Sequence, residues 1–299
     1  MKLGYPCINL SVNCRSSNTF RLKNYSEKRL KEVIKKNLEC LQTILEFNVK
    51  HNIYFFRITS DLIPFASHPI MNFNWQKYFS PNFIEIGDYI NKNKIRISMH
   101  PGQYTVINSN KREIFDKSKK ELKYHIDILN LMNLDASAKI ITHIGGVYGN
   151  KTESKSRFIK HYNELGENIR KHYVIENDDK SYNIKDCLFV NQETGIPIVF
   201  DSYHHECNST QKSVREELDQ VVKTWTSNDG LPIFHYSSEH SLKGKPQHAD
   251  KIDILHFSRF LEETKKYNYD IMLEIKDKEK SAIKALKLIL NDKRFRMDN

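Results

Sequence analysis

The sequence predicts an α/β fold, a single (β/α)8 barrel of the TIM type spanning residues 1–299. Three observations lead there. Eight short apolar, β-branched or aromatic runs recur along the chain, segments of helical period separate them, and 299 residues suit one such barrel. The runs are Leu3–Leu10, Ile53–Thr59, Ile95–Met99, Lys139–His143, Tyr173–Glu176, Ile196–Asp201, Pro232–His235 and Ile271–Ile275. Between them, Leu30, Ile34, Leu38, Leu41 and Leu45 share one helix face, as do Leu122, Ile126, Leu129 and Met132. Ala282, Leu286 and Ile289 predict a last helix. Strand–helix alternation implies parallel pairing through right-handed crossovers, and eight units favour closure over an open sheet. No linker rich in Pro, Gly or Ser interrupts the series. The longest irregular excursion is 61–82, which holds Pro64, Pro69 and Pro81 with Phe73, Trp75, Tyr78 and Phe79, and its aromatic content predicts an ordered segment.

Composition narrows the class of partner. Charged residues make up 28% of the chain, and Lys plus Arg exceed Asp plus Glu by 47 − 37 = 10. A pI near 9.1 suits a polyanion, whose phosphates release condensed counterions when neutralised. Solvated lysine-rich helix faces would give the same excess, so charge alone leaves both readings open. The five cysteines (Cys7, Cys14, Cys40, Cys187 and Cys207) are odd in number, widely spaced and without a C-x-x-C pair. They predict neither a disulfide framework nor a thiolate zinc site, and suggest a reducing compartment. Gly4 and Pro6 break the N-terminal apolar run, and no uncharged stretch is long enough to span a bilayer. The expectation is a soluble, intracellular protein, monomeric for want of any heptad repeat.

The positions of histidines and carboxylates are the informative feature. The third run ends at His100, the fourth at His143, the fifth at Glu176, the sixth at Asp201 with His204 just beyond, the seventh at His235 and the eighth at Glu274. His68 and His248 fall in loops after the second and seventh runs. In a TIM-type barrel those strand ends converge on one rim, where this fold places its chemistry. Imidazoles and carboxylates without thiolates suit Zn²⁺, Mn²⁺ or similar divalent ions, and their number exceeds the needs of one tetrahedral ion. A multinuclear cluster follows, and such clusters suit phosphodiester hydrolysis. Any one of these residues could instead be a packed histidine or a helix cap; the recurrence over six consecutive strands argues for the cluster. The remaining histidines read otherwise. His125, His161 and His256 lie in helical segments with solvated or stacking roles, and His51 and His172 lie near strand starts. His205 would point away from His204 if the strand continued, and His240 is a loop residue that could contact phosphate.

GYPCIN at 4–9, SMHPGQY at 98–104, THIGG at 142–146, VIEND at 174–178, FDSYHH at 200–205 and LEIKDKE at 273–279 together resemble the UV damage endonuclease family. MHPGQY followed by FDxxHH is specific to that family. END and THIGG alone also fit related xylose-isomerase-like barrels such as AP endonuclease IV and sugar isomerases. The resemblance implies a DNA-repair nuclease that incises duplex DNA immediately 5′ to a UV photoproduct, leaving a 3′-hydroxyl and a 5′-phosphate. It implies two to three divalent ions, with Mn²⁺ expected and Zn²⁺, Mg²⁺ or Co²⁺ as alternatives. His100, His143 and Glu176 would hold one ion; Glu176 would bridge to a second held by Asp201, His235 and Glu274; His204 and His248 would hold a third. Glu176, Glu274 and His68 would be catalytic, with His68 contacting the phosphate or a ligand water. Gln103 and Tyr104 would probe the duplex and fill the gap left by a flipped photoproduct, and Tyr5 and Asn9, on the first strand, would line the pocket that receives it. The chain departs from the family at Ile233, where some members carry a lysine near the metals. The competing expectations are an AP endonuclease or sugar isomerase on the same barrel, and a non-catalytic DNA-binding barrel.

Overall fold

Eight short strands close the barrel: β1 (Leu3–Pro6), β2 (Phe55–Ile58), β3 (Arg96–Met99), β4 (Lys139–His143), β5 (Tyr173–Glu176), β6 (Ile198–Asp201), β7 (Ile233–Tyr236) and β8 (Asp270–Leu273). They pair in parallel in chain order, and Leu3 opposite Ile271 shuts the ring. The structure is a computed structural model and describes residues 1–210, 212–238, 247–290 and 292–295; His240 lies outside the described residues. The helices between the strands are α1 (Glu27–Lys50), α2 (Trp75–Tyr78), α3 (Ser80–Lys92), α4 (Arg112–Leu131), α5 (Lys151–Asn163), α6 (Glu167–Arg170), α7 (Ile184–Thr194), α8 (Ser202–Cys207), α9 (Val214–Val221), α10 (Ile254–Glu263) and α11 (Glu279–Ile289). Among the described residues, no helix is long and apolar enough to cross a membrane.

Two apolar layers result. Strand residues facing outward join the helix stripes in one continuous core: Leu30, Ile34, Leu38, Leu41 and Leu45 of α1 are all buried, as are Leu122, Ile126 and Leu129 of α4. Residues facing inward form a second, smaller cluster of Phe55, Ile141, Val174, Val199, Ile233 and Met272, with Trp225 beneath them. Ile233 therefore belongs to the apolar filling of the barrel, two residues below His235, where an uncharged side chain packs without desolvation cost.

The two-residue strand period puts charges above and below that filling. Below, at the N-terminal ends of the strands, Arg96 donates to Asp270 at 2.7 Å and Lys139 to Asp229 at 2.6 Å. The Arg96 guanidinium also lies over the Phe55 and Trp225 rings. Above it, at the C-terminal ends of the strands, lie Glu176, Asp201, His235 and Glu274.

Several sequence expectations need correction. β1 stops at Pro6, because Cys7 turns to φ +70°, so Asn9 lies in the following loop rather than on the strand. Segment 61–82 is not irregular throughout, since α2 begins at Trp75 and α3 at Ser80. Cys14 and Cys40 form a disulfide, because the β1–α1 loop folds back onto α1, a proximity that spacing could not reveal. The expectation of a reducing compartment loses its support accordingly. His125 is fully buried rather than solvated, donating from Nδ1 to the Glu121 carbonyl at 2.8 Å, and burial lowers its pKa to about 4. His161 is buried as well and takes the stacking alternative of its reading, its ring lying against Phe115 with centroids 4.3 Å apart.

A candidate metal centre on the barrel rim

Glu176 closes β5 with its carboxylate nearly sealed from solvent. Its Oε1 is 2.8 Å from His235 Nδ1 and 3.5 Å from His204 Nδ1, and its Oε2 is 3.4 Å from His100 Nε2. His235 Nδ1 in turn lies 3.3 Å from Glu274 Oε1 and 3.9 Å from Asp201 Oδ2. Two sets of donor atoms emerge, each within 4.8 Å of one another: His100, His143 and Glu176, and Glu176, Asp201, His235 and Glu274. Glu176 belongs to both.

The donors are held in place by their neighbours. His100 Nδ1 donates to the Pro101 carbonyl at 3.0 Å, which turns Nε2 toward Glu176. Asn177 clamps the end of β6, donating to the Asp201 carbonyl at 3.0 Å and accepting from the Asp201 N–H at 2.9 Å. Its own carbonyl accepts from His204 Nδ1 at 2.9 Å. A backbone carbonyl that holds one ring nitrogen is the support that metal-binding imidazoles ordinarily have. The strand gives way to α8 at Asp201, so His204 and His205 do not alternate across a sheet. His205 instead lies 2.7 Å from Glu217 in a buried pair away from the rim.

Electrostatics fit a cation. Asp201 Oδ2 and Glu176 Oε2 are buried without a hydrogen-bond partner of good geometry among the described residues. Burial would raise Glu176, but the facing His235 and His143 hold it well below the usual carboxylate range. Burial raises Asp201. Burial would lower His204, yet Asp201, Glu176 and Glu274 outweigh it and lift it to about 9. A buried group of three carboxylates persists only when positive charge is supplied, and orphaned carboxylate oxygens aimed inward are what a divalent ion would satisfy.

Sequence reasoning missed part of that positive charge. Arg57 on β2 projects into the barrel, 2.6 Å from Glu274 Oε1, and its Nη2 donates to His235 Nε2 at 2.9 Å. No motif marked it, since its partners lie 217 and 178 residues away (274 − 57 and 235 − 57). Asn177 was visible only as part of the VIEND run.

The remaining predicted residues are placed more loosely. His248 Nε2 is 3.4 Å from Glu274 Oε2 and its ring is 6.2 Å from that of His204, so the two approach the cluster from one side without joining either donor set. His68 is exposed, with Nδ1 accepting from the Ile70 N–H at 3.0 Å, and lies at a cavity of about 810 Å³ bordered also by Tyr104, Glu121, Lys117 and Lys120. Gln103 and Tyr104 form the tip of a turn closed by Thr105 N–H donating to the Gly102 carbonyl at 2.8 Å. Both are exposed, Tyr104 at 68%. Tyr5 is fully buried; its hydroxyl donates to Asn48 at 2.6 Å and accepts from Asn9 at 2.7 Å. These two form an internal network and present no open ring face in this conformation.

A parallel eight-stranded barrel is a fold found in both nucleases and sugar epimerases. The comparisons narrow it. The model of the family described as UV-endonuclease UvdE matches residues 1–296, and the chain belongs to that family. It is 42% identical over 304 residues to the UV DNA damage endonuclease of Clostridium perfringens, covering 99% of this chain and 74% of that one. It is 36% identical over 266 residues to the protein of the same name from Bacillus mycoides, covering 88% and 84%. The crystal structure of SacUVDE superimposes with a TM-score of 0.93 at 44% identity, over 98% of this chain and 99% of that one. Endonuclease IV from Thermus thermophilus, with a TM-score of 0.59 at 13% identity over 84% and 93%, shares the fold alone.

Proposed function

We propose that the protein is a DNA-repair endonuclease that incises duplex DNA immediately 5′ to UV photoproducts, leaving a 3′-hydroxyl and a 5′-phosphate. The observation that carries the metal-assisted part of this reading is Glu176, shared by two sets of donor atoms at the rim. His100, His143 and Glu176 would hold one divalent ion, and Glu176, Asp201, His235 and Glu274 a second. His204 and His248 stand where they could contribute to a third. Bound there, Mn²⁺ or a similar ion would supply Lewis acidity to activate water and neutralise charge on a phosphodiester.

The chain's own residues do the rest. Asn177 orients Asp201 and His204, and Arg57 keeps Glu274 ionised and fixed beside His235. The exposed Gln103–Tyr104 tip supplies an amide and an aromatic ring to occupy a gap in the duplex, replacing stacking that a cross-linked photoproduct has already weakened. His68, exposed at the neighbouring cavity, would contact the phosphate or a ligand water. Family membership supports UV-damaged DNA as substrate, and the net charge of +10 suits a phosphate backbone.

The test is incision of end-labelled duplexes carrying a cyclobutane dimer, a 6-4 photoproduct, an abasic site or no lesion, each with Mn²⁺. Cleavage just 5′ to the photoproducts is expected. Cleavage of the abasic duplex alone would identify an AP endonuclease instead, and no cleavage with any divalent metal would leave a DNA-binding barrel.

A further inference from the structure

The loop that leaves β8 carries Glu274 to the metal centre and then makes an unusual turn. Lys280 N–H donates to the Asp277 carbonyl at 3.1 Å, and Lys278, first of the two central residues, has φ 54° and ψ −118°. That is the type II′ conformation, in which the position belongs to glycine. A lysine there is strained, and such strain persists only where the surroundings enforce it.

They do so here on every side. Lys276 N–H donates to the Ala249 carbonyl at 3.0 Å and Asp277 N–H to the Asp250 carbonyl at 3.2 Å. Glu279, fully buried, accepts from Leu10 N–H at 2.8 Å and Ser11 Oγ at 2.7 Å in the β1–α1 loop. Ser281 Oγ donates to Asp277 and accepts from Ile252 N–H at 2.9 Å. Two loops, the one after β1 and the one between β7 and α10, thus pin the turn that carries Lys278.

That side chain is half-buried, within electrostatic range of Cys7, Glu274, Arg57 and Glu279. Among the described residues, however, its ammonium has no hydrogen-bond or ion-pair partner. Both oxygens of the nearest site carboxylate are already engaged, Glu274 Oε1 by Arg57 and Oε2 by His248. The two buried cations below the apolar filling, Arg96 and Lys139, each have a carboxylate partner. Lys278 thus sits on a pinned turn four residues beyond Glu274, without a carboxylate partner among the described residues.

We propose that Lys278 binds a non-bridging oxygen of the DNA phosphodiester presented to the metal centre, holding it in place and offsetting the charge that develops on it. The assignment rests on the endonuclease reading above.

Three variants test it: Lys278→Met, Lys278→Arg and Lys278→Gly. Binding to a cyclobutane-dimer duplex is titrated against salt, with Ca²⁺ replacing Mn²⁺ to prevent cleavage, and single-turnover incision is followed with Mn²⁺. The methionine variant should retain wild-type Mn²⁺ content, lose about 100-fold in incision rate, and lower the slope of log K against log salt by about 0.9. Arginine should restore most of the slope. A duplex with a neutral methylphosphonate at the incised linkage should bind the wild type more weakly but the methionine variant no differently. The glycine variant should melt at a higher temperature than the wild type while incising as poorly as the methionine variant, a combination that a purely structural lysine would not give. Wild-type slope and rate in the methionine variant would overturn the assignment. A wild-type protein that neither binds nor cuts the duplex would instead overturn the endonuclease reading, and this inference with it.

Discussion

The two ends of the barrel interior both bury charge and treat it in opposite ways. At the N-terminal end, Arg96 and Lys139 meet Asp270 and Asp229, two cations against two carboxylates, all paired within 2.7 Å. At the C-terminal end, Glu176, Asp201 and Glu274 meet one guanidinium, that of Arg57, and two carboxylate oxygens are left without good partners. The lower end is a closed ionic plug whose charges satisfy one another. At the upper end two buried carboxylate oxygens stay unpartnered among the described residues despite the cations around them, and a folded chain retains such an arrangement when something from outside completes it. Both ends look alike in sequence, as a charged or polar residue near a strand terminus; the balance of charge separates them.

Glu176→Gln should show the difference most strongly. It removes the carboxylate common to both donor sets, so incision should fall by on the order of 10³-fold or more. Mn²⁺ content by elemental analysis should drop while binding of a photoproduct duplex is retained; full activity would remove Glu176 from the bridging role. Asp270→Asn at the opposite end should do the reverse. It leaves Arg96 buried without its carboxylate, at a cost of about 3–5 kcal/mol in urea unfolding, with metal content unchanged in the folded fraction. If Asp270→Asn emptied the metal centre, the two ends would not be independent.

pH separates them again. His172, at the lower end, is buried with Nδ1 donating to the Ala138 carbonyl at 2.7 Å, and burial lowers its pKa to about 4. The unfolded chain takes up that proton near pH 6.5 and the folded one only near 4. Stability contributed by the neutral ring is therefore present above pH 6.5 and lost as pH falls from 6.5 toward 4. Replacing His172 with Asn should flatten the acid decline in that window by on the order of 2 kcal/mol; an unchanged pH profile would remove His172 as its source. The smallest effect belongs to the rim's outermost residue. Tyr104→Ala should weaken binding to damaged duplex by about 1–3 kcal/mol, leaving metal content and melting temperature as they were. Equal affinity of the wild type for damaged and intact duplex would undo the probing role.

Much of the upper end was legible in the chain. β4 and β5 begin and end where the apolar runs do, and the period of two then fixes His143 and Glu176 on the inner face. Strand ends were less visible where the backbone departs from the pattern. The run Leu3–Leu10 continues past Pro6, but the positive φ at Cys7 ends β1 there and takes Asn9 into the loop, where it bonds to Tyr5. Arg57 was not legible at all. It sits in an ordinary strand run, and only ring closure brings β2 within reach of His235 and Glu274. The same holds for the Cys14–Cys40 disulfide and for the turn that strains Lys278.

The sequence by itself determined the barrel, its strand order and the residue types that gather on one rim, because alternation and periodicity are local properties that survive any tertiary detail. The tertiary structure alone decided which charges neutralise one another. Arg57 with Glu274, Arg96 with Asp270 and Lys139 with Asp229 are partners 217, 174 and 90 residues apart. Pairing energy depends on distance in space, and a closed barrel sets those distances through the register of every strand between.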